Sequence, residues 1–154
     1  MTARSACDNA GVNRFRLSAV KARTKGHRLA AAPLVCIIDD DDSLRSALVG
    51  LLRSFGYATR GFASAEAFLQ SDAVHAAACI VTDIQMPGMS GIDLKRHLAA
   101  QQHNVPVIMI TARTEPDLEA KALASGAAHF LRKPFEASVL NASVERALKD
   151  GEAS

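Results

Sequence analysis

In Val35-Cys36-Ile37-Ile38-Asp39-Asp40-Asp41-Asp42, a short apolar run passes directly into four consecutive aspartates. The run has no alternating polar residues, which is the pattern of a strand that is buried on both faces. Two further continuous runs follow at 79–81 and 105–110. Strands of this kind form parallel sheets covered by helices, so the sequence predicts an α/β protein. None of the runs approaches the ~20 apolar residues that a membrane-spanning helix needs.

Apolar residues at helical spacing mark the segments between these runs. In the first segment, Leu44, Leu48 and Leu52 lie about one turn apart, and Gly56 is expected to end the helix. The predicted apolar face of the last helix carries Val139, Leu140, Val144 and Leu148. Five helices are predicted: 44–55, Ala65–Leu69, a segment opened by a Ser90–Asp93 capping box, 114–126 with Pro116 in its first turn, and 136–149.

Five strands alternate with these five helices between residues 34 and 149, the remaining two strands lying at 57–62 and 129–132. Alternation with short connections predicts a doubly wound parallel sheet with right-handed crossovers. In such a sheet the functional site lies beyond the carboxyl ends of the strands, where the strand order switches. The residues that follow each strand are therefore the candidates for function.

Polar side chains follow the predicted strands at this edge of the sheet. Asp39 and Asp40 follow the first strand, Asp83 the third, Thr111 the fourth and Lys133 the fifth. Crowded carboxylates repel one another unless a cation neutralises them, and Mg²⁺ prefers carboxylate, water and phosphate oxygens. Ammonium and hydroxyl groups donate hydrogen bonds to phosphate. The residues at this edge of the sheet therefore predict Mg²⁺-dependent phosphoryl transfer to a carboxylate.

Four motifs, in this order, resemble the receiver domain of bacterial two-component response regulators. They are VCIIDDDD at 35–42, VTDIQMPGMSG at 81–91, IMITA at 108–112 and FLRKPF at 130–135. The likeness covers residues 34–149, and SAEAFL at 64–69 further resembles FixJ-type receivers. The resemblance implies a CheY-like, flavodoxin-like fold, in which a five-stranded parallel sheet of order 2-1-3-4-5 is flanked by five helices.

The resemblance also implies which residues accept the phosphoryl group and bind the metal. Asp83 is expected to be the phospho-acceptor. Asp40 would bind Mg²⁺ directly and Asp39 through water, and Asp83 and the backbone carbonyl of Gln85 would complete the set. Gln85 and Arg113 would flank the path of the attacking water, and so they would tune the lifetime of the phosphoryl group.

Further residues match the family's switch and partner-binding positions. Thr111 and Lys133 would hold the phosphoryl group, Phe130 would be the aromatic switch residue, and Pro134 would follow a cis peptide bond. The phosphoryl donor would be a histidine kinase or a phosphotransfer protein, and the chain would not be an enzyme beyond assisting its own phosphorylation and dephosphorylation. A downstream protein would bind the face at 117–149, with no nucleic acid or membrane contact within this chain. A phosphorylation-dependent dimer is left open.

Several alternative interpretations remain open at this stage. Asp41 and Asp42 are expected to be solvated or to cap a helix, because a helix N-terminus favours acidic residues. The chain could be a pseudo-receiver that binds a partner without phosphorylation, or the receiver fragment of a DNA-binding transcriptional regulator. A Mg²⁺-dependent phosphohydrolase with a nucleophilic aspartate is disfavoured, because Gln85 stands where such enzymes carry an acid two residues beyond Asp83.

The charge distribution divides the chain into two parts. Residues 1–33 contain seven Lys or Arg and one acidic residue, whereas residues 34–154 contain eleven Lys or Arg and fifteen acidic residues. We therefore predict a basic, disordered leader over 1–33 and a receiver domain over 34–150. Cys36 and Cys79 lie in apolar runs and are expected to be buried free thiols, which fits a reducing, cytoplasmic setting.

Overall fold

The computed structural model describes residues 32–153, so nearly all of the leader predicted over 1–33 lies outside the described residues. The strands are β1 (Leu34–Ile38), β2 (Ala58–Phe62), β3 (Cys79–Asp83), β4 (Val107–Thr111) and β5 (His129–Arg132). The helices are α1 (Asp42–Ser54), α2 (Ala65–Leu69), α3 (Ala73–Ala76), α4 (Gly91–Ala100), α5 (Leu118–Ala124) and α6 (Ala137–Ala153). None of these helices is long and apolar enough to cross a membrane.

All five strands are parallel and lie in the order β2-β1-β3-β4-β5, which confirms the predicted order 2-1-3-4-5. Strands β3 and β4 are buried along their whole length, as continuous apolar runs predict. Their alternate side chains enter two separate cores. One core contains Ile80 and Met109 with residues of α2 to α5, and the other contains Val81 and Ile108 with residues of α1 and α6.

The helix boundaries predicted from capping signals are largely confirmed. The Asp41 carboxylate accepts a hydrogen bond from Leu44 N at 3.1 Å and so caps α1. Ser90 and Asp93 form the predicted capping box of α4. Gly56 follows α1 with a φ of +98°, a conformation that favours glycine and ends the helix.

Three details of the prediction are wrong. The described residues contain six helices instead of five, because Ala73–Ala76 forms a single turn that is too short to show a periodic pattern. Helix α5 begins at Leu118, since Pro116 lies in a preceding turn in which Leu118 N donates to Glu115 O. Val139 is 43% exposed, because the buried face of α6 is formed by Leu140, Val144 and Ala147.

Candidate functional site

The carboxyl ends of β1 and β3 bring three carboxylates together. Asp39 and Asp40 follow β1, and Asp83 is the last residue of β3, which pairs directly with β1. Carboxylate oxygens of these three residues lie within 4.8 Å of one another. Asp39 and Asp83 are buried, whereas Asp40 is exposed. The structure therefore assembles the acidic group at the predicted edge of the sheet, with one member open to solvent.

Lys133 reaches this group from the carboxyl end of β5. Its Nζ lies 3.2 Å from Asp83 Oδ2 and 3.5 Å from Asp39 Oδ2. The Lys133 backbone N–H donates to Thr111 O at 2.8 Å, so the end of β4 holds this segment in place. The peptide bond between Lys133 and Pro134 is cis, as predicted.

The electrostatic environment of Asp39 disfavours its ionised form. Burial raises its pKa, and the nearby Asp83 carboxylate adds to this effect. The Asp41 backbone N–H, which donates to Asp39 Oδ1 at 2.9 Å, and the Lys133 ammonium act in the opposite direction without cancelling it. The Lys133 ammonium is thus paired with two buried carboxylates, those of Asp39 and Asp83, and further positive charge near them would be favourable.

The donor set fits a hard divalent cation. Three carboxylates supply only oxygen ligands, and these oxygens lie within 4.8 Å of one another, so small side-chain movements would bring them to a common Mg²⁺ ion, which binds oxygens at about 2.1 Å. The exposure of Asp40 leaves room for water, which Mg²⁺ usually retains. The Gln85 backbone N–H donates to Asp83 Oδ1 at 3.0 Å, so this residue lies directly against the Asp83 carboxylate.

Thr111 and Arg113 meet at the end of β4. Thr111 is fully buried, and its Oγ1 accepts a hydrogen bond from Arg113 N at 3.0 Å. The Arg113 guanidinium is exposed, and its Nη1 lies 3.7 Å from Glu115 Oε2. In this conformation the Arg113 side chain is therefore paired with Glu115.

Phe130 occupies β5 and is half-buried against the core on the α5 side of the sheet. Arg132 covers it, since its Cζ lies 5.3 Å from the Phe130 ring centroid. The same arginine donates from Nη1 to Arg113 O at 2.9 Å. Arg132 thus connects Phe130 to the loop that follows Thr111.

Sequence reasoning missed three residues that support the site. Arg45 donates from Nη1 to Asp39 O at 2.7 Å, Arg132 bridges β5 and the loop after β4, and Glu66 accepts from Met89 N at 2.9 Å. The available signal for Arg45 was its place in the helix that follows the aspartates, where a long side chain can fold back. No local pattern marks Glu66 or Arg132, because their partners are distant in sequence.

We predict that Asp39→Asn raises the free energy of unfolding at neutral pH in metal-free buffer. Since the folded pKa of Asp39 lies above its unfolded value, the folded protein binds this proton more tightly, and ionised Asp39 opposes folding. The gain should be about 1–2 kcal/mol, within the range of single substitutions. It should shrink as the pH falls through the folded pKa, because Asp39 then becomes neutral in the wild type too.

Urea unfolding at several pH values in the presence of a chelator measures this effect. Asp72→Asn is the control, because Asp72 is exposed and its pairing with Arg60 lowers its pKa. That variant should show no gain at neutral pH. A loss of stability in Asp39→Asn at neutral pH would contradict the prediction.

Comparison with known proteins agrees with this geometry. The family model for the response regulator receiver domain matches residues 35–145. The transcriptional regulatory protein FixJ of Bradyrhizobium diazoefficiens is 37% identical over 129 residues, which make up 84% of this chain and 60% of FixJ. The chain spans little more than half the length of the curated relatives that it matches, from 60% of this FixJ to 53% of the response regulator protein TmoT of Ectopseudomonas mendocina.

Solved structures give the same result. The crystal structure of FixJ-N has a TM-score of 0.71 at 36% identity, and the match covers 78% of this chain and 96% of that one. The low-resolution structure of the response regulator StyR has a TM-score of 0.74 at 38% identity, covering 80% of this chain and 62% of that one. Because the family match extends from β1 into α6, the chain belongs to the response regulator receiver domain family, the phospho-accepting module of two-component signal transduction.

Proposed function

We propose that this chain accepts a phosphoryl group on Asp83 from a histidine kinase or a phosphotransfer protein. The observation that carries the proposal is the position of Lys133 Nζ, 3.2 Å from Asp83 Oδ2 and beside a second buried carboxylate. A carboxylate oxygen of Asp83 would attack phosphorus, the P–N bond of the donor phosphohistidine would break, and the departing imidazole would take up a proton. The product is an acyl phosphate on Asp83.

Mg²⁺ would be held by the carboxylates of residues 39, 40 and 83 and by the backbone carbonyl of Gln85. Bound there, Mg²⁺ would neutralise negative charge on the carboxylates and on the transferring group. Asp39 and Asp83 are buried, so they would provide fixed oxygens, and the exposed Asp40 would complete the set from the solvent side. The burial of Asp39, which raises its pKa, favours the arrival of a cation.

The effect of phosphorylation would be transmitted by three residues, Thr111, Lys133 and Phe130. The Lys133 ammonium would donate to a phosphoryl oxygen in place of the Asp83 carboxylate. Thr111 Oγ1 already accepts from Arg113 N, and its hydroxyl hydrogen is still available for a phosphoryl oxygen. A shift of Thr111 would move the loop that follows β4. Arg132 contacts both this loop, through Arg113 O, and the Phe130 ring, so the surface of β5 would change as well.

The proposal assigns the receiver domain to residues 34–150 and the downstream binding face to 117–149. Leu123 and Val139 expose apolar side chains within that range. A cytoplasmic location is supported by Cys36 and Cys79, which are both free thiols in the part of the chain that the structure describes, as expected in a reducing compartment. The match to about half of FixJ-type regulators supports a role in transcription as the alternative context.

Incubation with acetyl phosphate and Mg²⁺, followed by mass spectrometry of the intact protein, tests the proposal. A receiver gains one phosphoryl group, and the gain depends on Mg²⁺. A pseudo-receiver gains none, and a phosphohydrolase releases many equivalents of phosphate per chain. Either of the last two results would overturn the proposed function.

Arg113→Ala should shorten the lifetime of phospho-Asp83 several-fold, a change of about 1 kcal/mol in the barrier to hydrolysis. The long, permanently charged side chain follows Thr111 by two residues and would shield the phosphoryl group from water. Gln85 on the other flank can orient a water molecule but cannot take its proton at neutral pH. Loss of phosphoprotein over time, followed on a phosphate-affinity gel without kinase, measures the lifetime.

Glu115→Ala is the matched control for this prediction. It leaves the Arg113 guanidinium in place and removes the carboxylate with which that group is paired. Its phosphoryl lifetime should not shorten. An unchanged or longer lifetime in Arg113→Ala would reject shielding by this residue.

A further inference from the structure

The loop at 84–90 connects the acceptor strand to α4 and carries Gln85. Two hydrogen bonds hold the start of the loop: Gln85 N donates to Asp83 Oδ1 at 3.0 Å, and Gly91 N donates to Ile84 O at 3.0 Å. Its last residue, Ser90, belongs to the capping box of α4. These contacts do not hold the exposed turn between the two ends, in which Pro87 and Gly88 lie in solvent.

Glu66 of α2 contacts this turn from outside. Its Oε2 accepts a hydrogen bond from Met89 N at 2.9 Å, across 23 residues of sequence. The same oxygen lies 2.6 Å from the position that a Cβ of residue 88 would occupy. Gly88 also has a φ of +79°. The carboxylate therefore packs directly against the backbone of two consecutive loop residues, and only glycine at 88 leaves it room.

The side chain of Glu66 is exposed, but the helix that carries it is firmly placed. Ser64 caps α2 by accepting from Ala67 N at 3.0 Å. On either side of Glu66, Ala65 and Phe68 are fully buried, and the Phe68 ring packs edge-on against Phe62 at 5.5 Å between centroids. Glu66 thus reaches the loop from a helix whose backbone cannot shift without disturbing the core.

We infer that Glu66 is a positioning residue for phosphorylation of Asp83. By holding Met89 N, it fixes the loop in the conformation that presents the backbone carbonyl of Gln85 to the metal-binding aspartates. This inference rests on the proposed function, because the carbonyl matters only if the site binds Mg²⁺. Removing the restraint would lower the apparent affinity for Mg²⁺ and leave the intrinsic reactivity of Asp83 intact.

The test compares Glu66→Ala, Glu66→Gln and the control Asp72→Ala, which removes an exposed carboxylate that pairs with Arg60. The initial rate of phosphorylation by acetyl phosphate is measured against Mg²⁺ concentration. Glu66→Ala should raise the half-saturating Mg²⁺ concentration roughly tenfold, the lower end of the effect of losing a residue that orients a metal ligand. The rate at saturating Mg²⁺ should stay close to that of the wild type.

Glu66→Gln should behave almost as the wild type, because its amide oxygen can still accept from Met89 N. Asp72→Ala should not change the Mg²⁺ dependence. An unchanged half-saturation in Glu66→Ala would overturn the inference. So would an equal defect in Glu66→Gln, because the effect would then come from charge instead of the hydrogen bond.

Hydrogen exchange at the Met89 amide gives a readout that does not depend on Mg²⁺. Glu66→Ala should speed this exchange by roughly 2- to 10-fold, the range expected for one hydrogen bond. An unchanged rate would overturn the inference even if the wild type is phosphorylated normally. Failure of the wild type to bind Mg²⁺ or gain a phosphoryl group would instead overturn the proposed function, and the exchange experiment distinguishes the two.

Gly88→Ala supplies an independent test of the contact. A new Cβ at this position would displace the Glu66 carboxylate, so Gly88→Ala should raise the half-saturating Mg²⁺ concentration and add little to Glu66→Ala in the double variant. Gly56→Ala is the matched control, because Gly56 has a φ of +98° and open space around the added Cβ. Additive effects of Gly88→Ala and Glu66→Ala would overturn the inference.

Discussion

Asp83→Asn should abolish phosphorylation by acetyl phosphate while leaving the protein folded. An amide lacks the nucleophilic carboxylate oxygen that must attack phosphorus. The fold should tolerate the change, because an asparagine oxygen can still accept the hydrogen bond from Gln85 N. Lys133 would keep its contact with Asp39, so the remaining buried carboxylate would stay paired. Mass spectrometry of the intact protein after incubation with Mg²⁺ should show no added phosphoryl group.

The matched control for this prediction is Asp72→Asn. Asp72 is an exposed aspartate that pairs with Arg60, so its loss removes one carboxylate outside the site. That variant should be labelled to the same extent as the wild type, and the label should be released by hydroxylamine, which cleaves acyl phosphates. Stoichiometric labelling of Asp83→Asn would assign the acceptor role to another residue.

The sequence predicts most of the fold because the inner strands are buried on both faces. Continuous apolar runs identify β1, β3 and β4 without any information about their neighbours, and the polar residues at their ends then lie at one edge. Edge elements are harder to predict. The four residues of β5 are half-buried or exposed, and α3 is a single turn, so neither produces a clear periodic signal.

The candidate site is predictable only in part for a related reason. Asp39, Asp83 and Lys133 can be predicted because each lies at or directly after the carboxyl end of a strand. Glu66 and Arg132 are exposed residues whose partners lie 23 and 19 positions away. Contacts of this kind depend on how helices and loops are placed on the sheet, and this placement cannot be predicted from the local sequence.

Gly91 shows the same limit, because the local sequence does not indicate what this residue contacts. In the structure it is the first residue of α4 and packs on the end of β3. A Cβ at this position would lie 2.6 Å from the backbone oxygen of Asp83, 3.2 Å from Ile84 Cα and 3.2 Å from Thr82 Cγ2. The strand cannot yield easily, because β3 is buried and pairs with a strand on each side.

Gly91→Ala should therefore destabilise the protein by about 1–3 kcal/mol, the cost of overpacking a well-packed core. It should also slow phosphorylation, because the backbone that must move belongs to Asp83. Urea unfolding measures the first effect, and the rate of labelling by acetyl phosphate measures the second.

Gly50→Ala is the matched control for Gly91→Ala, since Gly50 lies in α1 with no atom within 4 Å of the added Cβ. There the better helix propensity of alanine should raise the free energy of unfolding by about 1 kcal/mol. The two glycine-to-alanine changes are thus expected to have opposite signs, although both replace a glycine within a helix. If Gly91→Ala were as stable as the wild type, α4 would have to be able to move away from β3. In that case its packing could not be what fixes the Asp83 backbone.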